Sequence, residues 1–463
     1  MSAEKFLYRH WGKILFSVNL FLGIFIFLQG RKLGLFAPPR PGMDQHTILE
    51  AAQNIANGIF PVPGKYLYSP TYTLFLGLSA KIGGGNLFVM RLVQLAVVSL
   101  VPWMIYRTSI FAGFGRKAAA VAGVLWLFCG SAMLISLDFL RAAPLALCFV
   151  LLVYFLLRSR RSSRLHYTVF AGVFAGLCML GRENFIPVVC LPVLFMIFPL
   201  KKKQSPKIAV YVLAALLTLT PVLAYNFYHT SSLAILPGNG KNVFEFMQGK
   251  GTLSTPGQAA LQVIRKIPQT AWSVITPFEN TNSLSFYAHR EAIPLLKVLS
   301  LPITLLFSLV FAAAYCRKRS IYLILLLIAG YFGSLVFCEI YYRFRIPALP
   351  LLCIAGGAGV MQLSVLFKKR SKLAFAFLLP VLIAFTLWLD MTPEKLIQKS
   401  EREATVRFFL DRKQYTKAGE LLLKYRACGV ASPAGERFLL GLLVRDGKQS
   451  EAIFWYNEFS NAK

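Results

Sequence analysis

Apolar runs of about 17 to 25 residues recur along most of this chain, parted by short polar or basic clusters, and that is the length a helix needs to cross a bilayer core. Backbone groups inside lipid find no water, so a spanning segment must satisfy its own hydrogen bonds, and runs of this length do so as helices. The spacing predicts an all-α polytopic membrane protein with about eleven transmembrane helices, near residues 14–30, 86–106, 118–137, 139–157, 167–181, 184–200, 207–226, 293–314, 320–338, 345–366 and 372–389. A hydrophobic share of 56% against 15% charged residues excludes a string of soluble domains of the same length. Lys5, Arg9 and Lys13 precede the first run and no small-x-small cleavage pattern follows it, so it reads as an uncleaved signal anchor.

The net charge of +31 would point to nucleic acid in a soluble protein. Here the cations gather in alternate loops: Arg107 with Arg116 and Lys117, Arg158 to Arg164, Lys201 to Lys207, Arg317 to Arg319, and Lys368 to Lys372. Together with the N-terminal stub these loops hold 21 Lys and Arg, and Glu4 is their only acid. That asymmetry predicts a cytoplasmic N-terminus and attraction to anionic membrane lipids, with no nucleic-acid partner. The cysteines are scattered and show neither a CxxC pair nor metal-like spacing with histidine.

With eleven crossings, three outer segments stand out: 31–85, 227–292 and the tail 390–463, and residues 1–389 read as one membrane domain. In the first, "DQHTILEAAQNIANG" sets Ile48, Ala51, Ala52 and Ile55 at helical spacing, and "TYTLFLGLSAKI" after Pro70 is too short to span, so it lies along or dips into the outer face. In 227–292, "AALQVIRKIPQTAWSVI" suits a surface helix anchored by Trp272. The tail superposes on itself at an offset of 34 residues, Ala418 on Ala452, Leu421 on Trp455, Leu422 on Tyr456 and Tyr425 on Phe459, with Gly447 in the place of Lys413. This resembles a tetratricopeptide-like helical repeat, and two ordinary amphipathic hairpins are the alternative; either makes the tail a small external helical module.

Residues 1–389 contain nine acids, and all but Glu4 fall on the outer side of the expected topology. A carboxylate inside a membrane helix is costly, so acids at its edge invite a functional reading. Glu50, Glu279 and Glu291 read as solvated helix ends. Asp138 in "SLDFLRAAP" and Glu183 in "GRENFIP" lie in very short turns, each near an arginine, where a local ion pair and a site role are both open. Arg182, and Arg343 with Arg345 in "YYRFRIPALP", are basic groups on the outer face against the positive-inside trend, and guanidinium forks suit phosphate oxygens. Headgroup snorkelling at a helix end is the alternative for the last two, weaker for Arg345, which lies just before a proline-containing span.

"MDQHTILEAAQNIANG" followed by "YLYSPTYTLFLGLSAKIGG" resembles the first outer loop of the C-type membrane glycosyltransferases, more narrowly the family of the protein O-mannosyltransferases and the lipid A aminoarabinose transferase. Asp44, Ala52, Gly58, and Tyr66 with Ser69, Pro70, Thr71 and Tyr72 carry its rhythm, and "GLCMLGRENFIPVV" and "YYRFRIPALPLL" resemble two further family segments. The resemblance runs in order over 1–389 and leaves out the tail. It departs at Gln45, where many relatives have an acid after the aspartate, and at Ser69, where several have a basic residue before the proline.

Carried onto the matching positions, the resemblance implies Asp44 as catalytic base, Asp138 as second active-site acid, and Tyr66 facing the lipid phosphate. Lys65, Arg182, Arg343 and Arg345 are the candidates for gripping that phosphate, and His46 and Glu183 are possible assistants. The implied donor is a sugar on a polyprenyl phosphate, the acceptor a lipid, glycan or protein, and the transfer inverting at the extracytoplasmic face. No motif calls for a cofactor or metal, and a divalent cation between Asp44, Asp138 and a phosphate stays open. A multi-span transporter or flippase of lipid-linked sugars, or a non-catalytic assembly protein taking a protein partner through its tail, are the alternatives. The absence of any Asn-x-Ser/Thr site points to a bacterial cytoplasmic membrane with the tail outside.

Overall fold

In the computed structural model the described residues are 3–33, 44–59, 69–197, 205–231, 303–316, 318–337, 342–368 and 399–461, with shorter pieces between 36 and 39, 263 and 274, and 292 and 301. Lys65, Tyr66, Trp272, most of 227–292 and the expected span 372–389 lie outside them. Among the described residues every regular element is helical. Five helical stretches are long and apolar enough to cross a bilayer: His10–Lys32, Leu87–Ala112, Ala142–Arg161, Pro206–His229 and Arg343–Leu366. Four shorter apolar helices accompany them, at His166–Gly181, Phe185–Leu194, Leu305–Ala314 and Arg319–Ser334.

The first long helix is α1 (Ala3–Lys32). Two shorter helices follow, α2 (Asp44–Ala56) and the more apolar α3 (Pro70–Ile82), where the apolar spacing and Pro70 placed them. They bury Ile48, Leu49 and Ala52 against Tyr72, Leu76 and Ala80, and this small core continues onto Met90 and Phe139. Ser69 holds a left-handed conformation (φ 47°) before Pro70. Its hydroxyl donates to the Gly181 carbonyl at 3.3 Å, and the Thr71 hydroxyl donates to Leu177 at 2.9 Å, so the start of α3 is pinned to one end of the membrane bundle.

The second span comprises α4 (Leu87–Val98), capped by the Asn86 side chain, and α5 (Leu100–Ala112). The interruption at Ser99 falls just before Pro102, which has no N–H to offer the preceding turn.

The expected single span 118–137 is two helices, α6 (Arg116–Leu127) and α7 (Gly130–Ser136). At the break the Gly130 amide donates to the Leu299 carbonyl at 2.8 Å, and the Leu301 amide donates to Phe128 at 2.9 Å. Backbone pairing with a distant segment thus replaces the helical bonds. The same segment divides the expected span 293–314 into α12 (Pro294–Val298) and α13 (Ile303–Ala314).

After α8 (Ala142–Arg161) come α9 (His166–Gly181), α10 (Phe185–Ile197) and α11 (Ser205–Thr230). A Cβ on Gly172 of α9 would lie 2.4 Å from the Tyr211 carbonyl oxygen, and one on Gly176 2.6 Å from Thr218. The four-residue glycine spacing therefore lets α9 and α11 touch along their backbones, as close packing in lipid requires. On its other side α11 exposes Leu213, Leu216 and Leu217, each by more than half, a face suited to lipid chains.

Among the described residues, α14 (Arg319–Ser334), a 3-10 segment (Tyr342–Ala348) and α15 (Leu349–Lys368) come next.

Four tail helices, α16 (Lys399–Leu410), α17 (Tyr415–Ala427), α18 (Pro433–Arg445) and α19 (Gln449–Asn461), keep the offset read from the sequence: α17 starts at 415 and α19 at 449, a difference of 34. Lys413 and Gly447 both adopt positive φ, 55° and 75°. Ala418, Leu421 and Tyr425 are buried, as are Ala452, Trp455 and Phe459, whereas Leu422 is buried and its counterpart Tyr456 is exposed. Arg412 joins the tail to the membrane domain by donating from Nε to the Leu33 carbonyl at 2.8 Å, just beyond α1.

Candidate active site

The turn between α7 and α8 carries Asp138, and the small core formed by α2 and α3 covers it. Gln45, the second residue of α2 and 2% exposed, donates from Nε2 to Asp138 Oδ2 at 3.0 Å. The backbone amide of Phe139 donates to Oδ1 at 2.9 Å. From α4, the Gln94 amide donates to the carbonyls of Ser136 at 2.8 Å and Asp138 at 2.6 Å, and its oxygen accepts the Tyr72 hydroxyl at 2.6 Å. Side chains from α2, α3 and α4 thus meet at this turn.

Arg91, one turn before Gln94, is 4% exposed and stacks on Phe139 with its guanidinium carbon 4.6 Å from the ring centre. Burial pushes the Asp138 carboxyl above its ordinary value, while the Gln45 N–H, the Arg91 guanidinium, the Phe139 amide and Arg343 pull it back. Desolvation prevails over its partners.

Arg343, in the 3-10 segment before α15, is 6% exposed and acts on Asp138 electrostatically. Arg182, in the turn after α9, lies with its guanidinium carbon 3.4 Å from the Phe344 ring centre, and Phe344 is held through its carbonyl by the Tyr331 hydroxyl at 2.6 Å. Arg141 donates to the Gly181 carbonyl at 3.2 Å. Arg141, Arg182 and Arg343 line a small, open cleft whose other walls are Ile48, Leu140, Ala142 and Phe344. Three guanidinium groups and apolar walls suit a ligand that is part anion and part hydrocarbon.

Of the residues singled out from the sequence, the structure brings Arg182 and Arg343 to this cleft, and Asp138 lies within electrostatic reach of Arg343. Arg345 turns elsewhere, donating from Nη1 to the Val274 carbonyl at 3.1 Å. His46 faces along α2 to Glu50, with Nδ1 4.0 Å from its carboxylate. Glu183 is half-buried in the turn beside Arg182. Asp44 begins α2, next to Gln45; its side chain, like Lys65 and Tyr66, lies outside the described residues. Among the described residues no three of His, Cys, Asp and Glu come together as a metal site would need. Asp138 finds partners in Gln45, Arg91 and Arg343.

Gln45 and Arg91 are what the sequence reading missed. Arg91 had a signal, a cation inside an apolar run. Gln45 showed only as a departure from the family pattern.

Residues 68–225 match the family model of the dolichyl-phosphate-mannose-protein mannosyltransferases. No curated protein matches the chain by sequence. The fold is similar to that of the oligosaccharyltransferase AglB from Archaeoglobus fulgidus, solved with an inhibitory peptide and a dolichol-phosphate: 15% identity, 94% of this chain and 60% of the archaeal one covered, TM-score 0.51. It is also similar to ArnT from Cupriavidus metallidurans, solved with undecaprenyl phosphate bound: 14% identity, 100% of this chain and 77% of the other covered, TM-score 0.50. This chain thus spans under two thirds of the archaeal protein's length. The comparisons thus give a family match over part of the chain and a likeness of fold to these two membrane proteins.

Proposed function

We propose that the protein transfers a sugar from a polyprenyl-phosphate-linked donor to a lipid, glycan or protein acceptor at the extracytoplasmic face of a bacterial cytoplasmic membrane. The observation that carries this reading is the pair of buried guanidinium groups, Arg182 and Arg343, lining a cleft beside the buried Asp138 at one end of the membrane helices. A lipid phosphate leaving the anomeric carbon gains negative charge, and preorganised cations in a water-poor cleft stabilise that charge more strongly than water does. The polyprenyl chain needs no aqueous route, because the helices that carry the cleft are themselves embedded in lipid.

In this reading Asp44 takes the proton of the acceptor hydroxyl as it attacks the anomeric carbon, with inversion. The sequence pattern implies that role, and the position of α2 supports it, since Gln45 is already within hydrogen-bond distance of Asp138. Asp138, held by Gln45 and Arg91, orients the first outer helix and balances the arginines. Arg182 and Arg343 grip the donor phosphate with Lys65 and Tyr66, while Arg345 supports the outer segment at Val274.

Purified protein in lipid nanodiscs, supplied with sugars linked to polyprenyl phosphate, tests the reading. Sugar transfer with release of free polyprenyl phosphate is expected. Movement of the intact donor across a vesicle membrane with no cleavage would instead establish a flippase.

A further inference from the structure

The two buried arginines of the cleft come from elements far apart in the chain, and both reach one aromatic ring. Arg182 lies in the short turn between α9 and α10, and Arg343 in the 3-10 segment before α15. The guanidinium carbon of Arg182 stands 3.4 Å from the centre of the Phe344 ring, and that of Arg343 stands 5.8 Å from it. Both distances fall within the range at which a ring face attracts a cation. Two like charges repel each other, so their approach to one ring needs a support of its own.

A chain of hydrogen bonds through α14 supplies it. Tyr331 donates its hydroxyl to the Phe344 carbonyl at 2.6 Å. Ser334, three residues further along α14, donates to the Tyr331 carbonyl at 2.6 Å and accepts from Asn184 Nδ2 at 3.1 Å. Asn184 follows Arg182 by two residues, and their turn is closed by the Phe185 amide, which donates to the Arg182 carbonyl at 3.2 Å. The contacts therefore form a circuit from Arg182 to Phe344, Tyr331, Ser334, Asn184 and back. Arg182, Tyr331, Ser334 and Asn184 are all buried. The base of the circuit is also braced: the Tyr331 ring lies 5.0 Å from that of Phe185 and 5.8 Å from that of Phe149.

Asn184 is a costly way to fill its place. The Ser334 hydroxyl proton is committed to Tyr331, so Ser334 takes a donor from Asn184, and this fixes which way the amide points. Asn184 Oδ1 is left buried with no hydrogen-bond partner among the described residues. Burying an unmatched acceptor costs stability that an aliphatic side chain would not, so the amide calls for a role beyond packing.

The geometry points to Asn184, Ser334 and Tyr331 as positioning residues that hold Arg182 and Arg343 at one fixed separation for a lipid phosphate. The inference rests on the transferase reading for its use of these two arginines.

The test measures binding of undecaprenyl phosphate and of undecaprenol to the full-length protein in phosphatidylcholine nanodiscs, where no sugar transfer is required. Wild type is expected to prefer the phosphate. Asn184→Leu, similar in volume, breaks one link and removes the unmatched acceptor with it, whereas Tyr331→Phe removes only a hydroxyl and keeps the ring packing. Each should weaken phosphate binding about tenfold, the worth of one hydrogen bond to a charged group, and leave undecaprenol binding unchanged. Because both break one circuit, the double variant should fall no more than about twofold below either single variant. A double variant weakened about a hundredfold would show two independent contacts. Unchanged phosphate binding in both single variants would show no positioning role, and equal weakening for the two lipids would show damage to packing. Each of these three results overturns the proposal and leaves the transferase reading standing. A wild-type protein that binds both lipids equally would overturn that reading and the proposal with it.

Discussion

Gln45 Nε2 donates to Asp138 Oδ2 across 3.0 Å, tying α2 to a turn 93 positions further on. A donor to the charged form favours ionisation, so Gln45→Leu should raise a carboxyl that burial already holds above its ordinary value. If turnover requires ionised Asp138, the acid limb of the pH profile of kcat/KM moves to higher pH, with activity recovered under alkaline conditions. A limb that stays in place would separate Asp138 from the chemistry.

Arg91→Met should act in the same direction through charge. It removes a buried cation from beside Asp138 and the stacking on Phe139. Truncating one member of a buried charged set costs about 3 kcal/mol, so a lower melting temperature is expected together with the shifted pH limb. Because Gln45 and Arg91 act on one carboxylate, the double variant should depart from additivity by more than about 0.5 kcal/mol.

The membrane character, the helices α2 and α3 and the 34-residue offset between tail helices were legible because each depends on local pattern: apolar length, 3.6-residue spacing and a fixed offset. The break at Phe128 and Cys129 was not, since "LWLFCGSAMLIS" is apolar throughout and the bonds that part α6 from α7 come from Leu299 and Leu301. The candidate site was half legible. Asp138, Arg182 and Arg343 stand out as charges in an apolar chain, but that Arg343 turns to the cleft and Arg345 to Val274 is settled by tertiary packing. Gln45, uncharged and in a polar stretch, gave no signal of its own.

Arg182→Lys keeps the charge at the cleft and loses both the fork and the stacking on Phe344. The KM for a polyprenyl-phosphate donor should rise about tenfold, equivalent to about 1.4 kcal/mol of phosphate binding. Steady-state kinetics over a donor series would measure it. An unchanged KM would place the phosphate elsewhere.

In the tail, a Cβ on Gly419 would sit 2.5 Å from the indole of Trp455, whereas the counterpart of Gly419, Ile453, is 61% exposed. Gly419→Val should therefore destabilise the tail by about 1–3 kcal/mol through overpacking. Ile453→Ala should stay within about 0.5 kcal/mol, as exposed positions do. Limited proteolysis of residues 399–461 in the full-length protein would separate the two.

The most direct measurement compares wild type with Asp44→Asn in nanodiscs, recording release of polyprenyl phosphate and donor binding on the same samples. General-base assistance is worth about 10²- to 10⁴-fold, so turnover should fall by that factor while donor affinity holds. Turnover by Asp44→Asn at the wild-type rate, or a wild-type protein that binds no polyprenyl-phosphate sugar, would contradict the assignment of this cleft to sugar transfer.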